Sequence, residues 1–286
     1  MALIQWYPGH MNKAKNQIID NLHLVDVVLE VLDARIPISS RNPLIQKLAA
    51  NKKHLIILNK ADLADPNQTA RWIDYFKRHG HEFTIAFDAQ HTTNTNPIVD
   101  LVKKSMAEKT AALNAKGAKN PTIRVVCVGI PNCGKSTILN RLVGKNVAVV
   151  GDRPGVTKNQ NWLKAKGNIQ VLDTPGILWP KFDDQEIGVK LALTGAIKEG
   201  LYHEDDVALF ALSYFRNYYP QVLTEKLGVG PKQLALSDPD LLLALTKKFG
   251  FKDEYERMAQ KIIFDLRKGT LGRITLEQAP VSATEA

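Results

Sequence analysis

The sequence predicts an α/β domain with a mostly parallel sheet and helices on both faces, followed by an all-α region. Three observations carry this expectation. Short runs rich in Val, Ile and Leu alternate with helical patterns as far as Gly176, a Gly-rich turn joins one such run to a helix, and beyond Gly176 little strand-like patterning remains. Parallel neighbours need a crossover connection, which a helix supplies, so alternating strands and helices imply a parallel sheet. At 286 residues the chain fits about two domains. Their expected bounds are 1–180 and 181–276, with 277–286 as a disordered end.

Residues 25–32 are β-branched and apolar enough for a buried strand. Residues 43–50 read as a short helix and 54–58 as a second buried strand. Residues 66–80 form a helix with Pro at its start and Gly at its end. A third strand at 82–87, a helix at 97–114 and an exposed linker at 115–121 follow. Residues 122–128 are a fourth strand, leading through the Gly-rich turn into a helix over 135–143. Residues 146–161 hold Gly, Pro and Asp and read as a mobile loop. Residues 162–166 and 168–172 pair as a hairpin around Gly167. Beyond Gly176, residues 186–198, 205–218, 219–227 and 238–267 read as helices.

Apolar residues are 44% of the chain and charged residues 23%, ordinary for a globular protein. A disordered chain, a disulfide miniprotein and a collagen-like chain are excluded. No stretch approaches the roughly 20 apolar residues of a membrane helix. The formal charge of +9 points to an anionic partner, nucleic acid above all. Residues 1–185 hold 25 basic against 15 acidic side chains and residues 186–286 hold 13 against 14, so the excess lies in the first part. In the second part, Arg257, Lys261 and Lys268 share one helix side, with Tyr255, Met258, Ala259, Ile262 and Leu266 on the other. Two cysteines make no disulfide framework, and no basic segment followed by an apolar core opens the chain. The expected compartment is the reducing cytoplasm.

Gly129-Ile-Pro-Asn-Cys-Gly134-Lys135-Ser136 matches G-x-x-x-x-G-K-[ST], between a strand and a helix as the motif requires. Its glycines let backbone N–H groups turn inward around phosphate oxygens. Asn132, Cys133, Gly134, Lys135, Ser136 and Thr137 are the expected cradle. Lys135 is expected to reach the terminal phosphates and Ser136 to bind Mg²⁺. Asn59-Lys60-Ala61-Asp62 ends the strand at 54–58. Asp62 can accept from both guanine N1–H and the exocyclic amine, neither of which adenine offers, so a site built around it rejects ATP. Asn59 is expected at the other polar edge of the base, with the Lys60 stem along the ring. Asp88-Ala89-Gln90 is expected to turn the Ala89 N–H toward guanine O6. Asp173-Thr-Pro-Gly176 completes the set, with Asp173 holding Mg²⁺ through water and the Gly176 N–H on the γ-phosphate. Thr157 is the first candidate for the hydroxyl that caps Mg²⁺, and Thr174 is its rival.

The guanine motif here precedes the phosphate loop, the reverse of the ordinary GTPase order. With Trp6-Tyr-Pro-Gly-His-Met11 at the start and a helical tail, the chain resembles the circularly permuted GTPases, and within them the ribosome biogenesis GTPase A family, also called YlqF. Gly-Ile-Pro-Asn-x-Gly-Lys-Ser and Asp-Thr-Pro-Gly carry the likeness over nearly the whole chain. Cys133 stands where Val is usual and Asp88 where Ser is usual. The resemblance implies a GTPase using GTP/GDP and Mg²⁺, acting in late assembly of the 50S ribosomal subunit precursor, and binding 23S rRNA through its tail. A cytoplasmic monomer with no membrane partner is expected. Ile177 follows Asp-Thr-Pro-Gly, where many GTPases carry a water-orienting Gln. The resemblance points to His10 as the catalytic group, positioned when the ribosome binds; an rRNA contact and a structural histidine are the rival readings. In GTPases with this loop the Asn helps hold K⁺ near the phosphates, which assigns that role to Asn132 against the simpler role of fixing its own loop. Because the helical region starts directly after Gly176, a GTP-controlled RNA clamp is expected. The competing classes are a GTP-gated protein for a different RNA and a P-loop kinase, the latter leaving Asn59–Asp62 unexplained.

Overall fold

The structure, a computed structural model, describes residue 4, residues 6–145 and residues 162–280. Its first strand, β1 (Val27–Asp33), is buried at all seven positions, as a parallel strand covered on both faces must be. It pairs in parallel with β2 (Lys53–Asn59) on one side and with β4 (Ile123–Val128) on the other. Beyond β2 lies β3 (Thr84–Ala86), and beyond β4 lies β6 (Ile169–Leu172), both parallel to their neighbours. At the far edge β5 (Trp162–Ala165) runs antiparallel to β6. The order is therefore β3-β2-β1-β4-β6-β5. The chain builds outward from β1 to one edge, returns beside β1 as β4, crosses to the far edge as β5 and comes back between the two as β6. That reversal between β1 and β4 is a topological switch point, where ligands enter the crevice beyond the carboxyl ends of the strands.

Successive residues of a strand point to opposite faces, and both faces of this sheet are covered. Leu55 and Ile57 of β2 join the large apolar cluster, whereas Ile56 and Leu58 pack with Trp72 and Phe76. The latter pair belongs to α3 (Pro66–Arg78), which begins at Pro66 because the Asp65 carboxylate accepts from Asn67 N (2.8 Å) and Gln68 N (3.3 Å). Its forerunners are α1 (Gly9–Asn21) and α2 (Pro43–Leu48), and α4 (Asn96–Ser105), α5 (Ala107–Ala115) and α6 (Lys135–Val143) complete the sheet region. The helical region holds α7 (Gln185–Leu193), α8 (Glu204–Tyr218), α9 (Pro231–Leu234), α10 (Asp238–Lys248) and α11 (Tyr255–Lys268). Helices α8, α10 and α11 pack on one another, and the large cluster runs unbroken from Ile4 through the sheet to Leu276.

Several expectations are corrected. Helix α1 has no counterpart in the sequence reading; it buries Met11, Ala14 and Ile18. The helix expected over 97–114 breaks at Met106, which turns inward to 6% exposure while α5 buries none of its residues. The helix expected over 238–267 is two, because Gly250 (φ +76°) stops α10 while Phe251 N returns to Thr246 O (3.0 Å). Gly195 (φ +83°) likewise ends the first tail helix at Leu193 instead of Lys198, with Ala196 N on Leu191 O (2.8 Å). Within 219–227 there is a π-helical turn, Val222–Lys226. Tyr255, expected on the inner side of α11, is 40% exposed, whereas Met258, Ala259, Ile262, Ile263 and Leu266 are buried. The end expected to be disordered from 277 is packed at its start: Glu277 and Ala279 are buried, and Trp72 Nε1 donates to Glu277 O (3.0 Å). The loop expected over 146–161, with Thr157, lies outside the described residues, as do 281–286.

Candidate nucleotide site

The phosphate loop leaves β4 and enters α6 at the switch point. Gly134 occupies the helix N-cap with φ +98°, a conformation open to glycine at no steric cost. A Cβ there would also run into Asn59 Nδ2. At Gly129 a Cβ would strike Val31 O and lie 2.9 Å from Cys133 Sγ. Both glycines thus let the loop lie flat against the sheet. Lys135 is 6% exposed and donates from Nζ to Ile130 O (2.7 Å). Ser136 and Thr137 stand half-buried in the first turn of α6, whose N–H groups and dipole favour an anion. Cys133 is buried, and burial pushes its thiol up, so it contributes backbone and packing.

Asn59 serves differently from the expectation. It is 2% exposed, and both ends of its amide are engaged: Nδ2 donates to Cys133 O (2.7 Å) and Oδ1 accepts from Ala89 N (3.1 Å). It therefore clasps the phosphate loop to the two loops that follow β2 and β3. The Ala89 N–H, expected to face guanine O6, is spent on that clasp. Arg141 of α6 reinforces it, donating to Ala89 O (3.3 Å) and Gln90 O (2.9 Å). Lys60 adopts φ +59°, which turns the chain sharply after β2. Asp62 follows with a buried Oδ1 that has no hydrogen-bond partner among the described residues. Burial and the Asp88 charge raise its carboxyl above the usual range. An orphaned acceptor of this kind suits the N1–H and amine donors of guanine. Asp88 folds its own loop, accepting at Oδ1 from Gln90 N (2.9 Å) and His91 N (3.0 Å) and holding His91 Nδ1 at Oδ2 (2.9 Å).

At the other end Asp173 is 5% exposed, its Oδ1 also lacks a partner among the described residues, and burial pushes its carboxyl up to about 6 against the pull of Lys135. A buried carboxylate beside the phosphate loop, with one oxygen left unpartnered among the described residues, fits a divalent cation. Thr174 Oγ1 is turned inward and donates to Cys127 O (2.5 Å). A Cβ on Gly176 would fall 2.6 Å from Pro131 Cα and 3.0 Å from Lys135 Nζ, so the segment lies directly on the phosphate loop. Ile177 N donates to Gly129 O (3.2 Å), and its side chain is buried at 1% exposure. Asn132 (φ +57°) donates from Nδ2 to Gly195 O (2.8 Å) at the end of α7.

His10, also an expected site residue, makes none of the contacts described above. It is exposed at the start of α1, edge-on to Trp6 with ring centroids 6.4 Å apart. Its neighbour Met11 accepts through Sδ from Leu178 N (3.4 Å), which sets α1 beside the segment after Gly176.

The sequence reading missed four supports. Asp33 at the end of β1 and Arg35 two residues on form a buried pair (Nη2–Oδ2 2.7 Å), and Lys60 Nζ lies 3.2 Å from the same carboxylate. Burial works to raise the Asp33 carboxyl, but the Arg35 and Lys60 cations hold it well below the usual range. Their signal was available as Asp-Ala-Arg directly after an apolar strand. Asn42 caps α2, accepting from Leu44 N (2.9 Å), and donates to Ile177 O (3.1 Å) and Leu178 O (3.3 Å). Arg141 is the third. The segment from Arg273 to Ala279, the fourth, had no local signal at all.

A phosphate loop and a guanine loop that meet across the switch point, with the guanine loop earlier in the chain, define a circularly permuted P-loop GTPase. Residues 124–263 match the family model for the 50S ribosome-binding GTPase. The chain is 43% identical over 282 residues to the Ribosome biogenesis GTPase A of Bacillus cereus, covering 96% of this chain and 94% of that one, and 42% identical to its Priestia megaterium counterpart, covering 96% of each. The GNP-bound crystal structure of YlqF from T. maritima superposes with a TM-score of 0.64 at 25% identity, covering 94% of this chain and 100% of that one. The chain belongs to the ribosome biogenesis GTPase A family.

Proposed function

We propose that this GTPase binds the precursor of the large ribosomal subunit and couples GTP hydrolysis to its late assembly. The observation that carries the reading is the Asn59 clasp between guanine and phosphate loops, in a chain whose relatives are named for ribosome biogenesis along nearly their full length. Asp62 reads the guanine edge, and Lys135 with the N–H groups of residues 132–137 holds the phosphates. Ser136, Asp173 and Thr157 hold Mg²⁺, which supplies positive charge to the phosphate oxygens. The orphaned Asp173 oxygen supports that assignment. Asn132 holds K⁺, and turnover faster in KCl than in NaCl tests it. The buried Ile177 side chain cannot orient water, so the role falls to His10, brought to the γ-phosphate when the subunit binds.

The RNA partner is 23S rRNA, engaged through the tail. Support comes from the outer side of α11, where Arg257 lies over Phe251 (5.1 Å), Lys261 over Phe249 (5.4 Å) and Lys268 over Phe264 (5.7 Å). Cations held over rings suit nucleic acid, which accepts both charge and stacking. The protein acts as a monomer in the cytoplasm; among the described residues no helix is long and apolar enough to cross a membrane.

Co-sedimentation with 50S subunits, with tRNA as competitor, in GDP and in a GTP analogue, tests the reading. Preferential pelleting with 50S in the GTP-analogue state supports it. Equal pelleting in both states removes the clamp, and preference for another RNA removes the ribosomal partner. His10→Ala is expected to depress subunit-stimulated turnover and spare nucleotide affinity.

A further inference from the structure

The loop that presents Asp62 is held from outside by a segment more than 200 positions away. Arg273 donates from Nη2 to Ala61 O (2.8 Å) and from Nε to Ala64 O (2.8 Å), so one guanidinium fork spans Asp62. Ile274 N donates to Leu63 O (3.0 Å), and Asp65 N donates to Thr275 Oγ1 (3.1 Å). Every residue from 61 to 65 except Asp62 itself therefore bonds through its backbone to residues 273–275. The segment continues across the sheet. Leu276 N donates to Arg35 O (2.7 Å), and the Glu277 carboxylate accepts from Ile38 N (2.6 Å), Ser39 N (2.9 Å) and the Ser39 hydroxyl. The same segment is tied to α8 and the residue that caps it: Gln278 Nε2 donates to Tyr214 Oη (2.8 Å) and Thr275 N to Tyr219 Oη (3.2 Å).

We propose that residues 273–279 are a strap whose Arg273 is a positioning residue for guanine selection, fixing the loop so that Asp62 meets both donors of the base. Through Tyr214 and Tyr219 the helical region then sets the guanine end of the site. Two hydrogen bonds to one small edge demand placement within about half an ångström, which the short loop after Lys60 cannot secure alone. Arg273 itself is exposed, so its fork contributes position more than core packing.

The proposal rests on Asp62 reading guanine, and the test separates the two. Dissociation constants for GDP and for IDP, which lacks the exocyclic amine, are measured by calorimetry for the full chain, Arg273→Ala, Arg273→Lys, Thr275→Val and Asp62→Ala. Removing the fork is expected to lower the GDP-over-IDP preference by about fivefold or more, the lower end of ordinary coupling between sites. Arg273→Lys, which keeps the charge and one donor nitrogen but not the fork, is expected to recover part of it. Thr275→Val trades the acceptor hydroxyl for a methyl of the same size and is expected to move the ratio in the same direction; it decides the matter if Arg273→Ala fails to fold. Folded variants that lose affinity for GDP and IDP equally, or for neither, overturn the strap. A preference in the full chain that Asp62→Ala leaves unchanged overturns the reading of Asp62, and the strap with it.

Discussion

Asp173→Asn is expected to stabilise the nucleotide-free protein while abolishing its chemistry. Asp173 is 5% exposed with one oxygen unpartnered among the described residues, and its carboxyl is pushed up to about 6 from an ordinary 3.8. Roughly two pH units at about 1.4 kcal/mol each make the charged form cost about 3 kcal/mol at neutral pH. Because the folded value is the higher one, the folded state takes up a proton between about 6 and 3.8 that the unfolded chain does not. Stability from this group therefore rises as pH falls through that window and is lowest above it. The amide carries no charge to bury, and its oxygen can still accept from Thr174 N. Urea midpoints in EDTA, at pH 7.5 and pH 4.5, are the assay. The variant should be more stable by about 2–3 kcal/mol at pH 7.5, with most of the gain gone at pH 4.5. With Mg²⁺ and a GTP analogue the ranking should reverse, because the carboxylate then has its partner. A variant no more stable than the parent at pH 7.5, or a gain indifferent to pH, refutes the argument.

Asn59→Asp puts an acceptor against the Cys133 carbonyl, and at about 1–3 kcal/mol for a buried group left unpaired GDP affinity should fall about tenfold or more by calorimetry; unchanged affinity removes the clasp. Gly176→Ala drives a methyl to within 2.6 Å of Pro131 Cα, so turnover should fall on the order of a hundredfold, as for loss of one transition-state donor, while GDP affinity is nearly kept. His81 is pulled down to about 4 by burial and by Arg41, whose Nη2 lies 2.7 Å from its Nε2. The unfolded imidazole binds its proton first, so this group erodes stability as pH falls from about 6.5 toward 4, and that component of the urea midpoint should vanish in His81→Asn.

The parts of this molecule that the sequence reveals are those whose cause is local. Five apolar residues among seven make β1 legible, and Gly129, Gly134 and Lys135 announce a phosphate loop because each answers a steric or electrostatic need of its immediate neighbours. Helix α1 was legible in principle: Met11, Ala14 and Ile18 recur at i, i+3 and i+7, but only three apolar contacts among polar residues make a faint stripe. Gly250 and Gly195 were read through because a glycine inside a helical pattern stops it only if the next turn can return its N–H groups to the carbonyls behind. Asn59 shows the deeper limit. Spacing identified it with the base-reading motif, yet its partners are Cys133 and Ala89, which no local pattern connects to it. Residues 273–279 carry the same lesson further, since a polar stretch near a chain end looks idle until the carbonyls it satisfies are known.

Permutation gives these long-range contacts their purpose. With the guanine strands first and the phosphate strands second, the helical region leaves the sheet directly after Gly176 and grips the site at two places. At the phosphate end, Asn132 holds Gly195 O, and Arg267 of α11 holds Ala192 O (2.8 Å) and Leu193 O (3.2 Å) at the same helix end. Two short links therefore join α11 to the phosphate loop. At the guanine end, Arg273 follows α11 within five residues and holds the loop of Asp62. Hydrogen bonds to backbone carbonyls thus connect α11, and the segment just after it, to the phosphate loop and to the loop of Asp62. Linkage is reciprocal, so a partner that shifts α11 alters nucleotide affinity by the factor with which nucleotide alters its own. An ordinary GTPase order, which ends the chain beside the guanine strands instead of after Gly176, would leave the first of these grips without a covalent anchor.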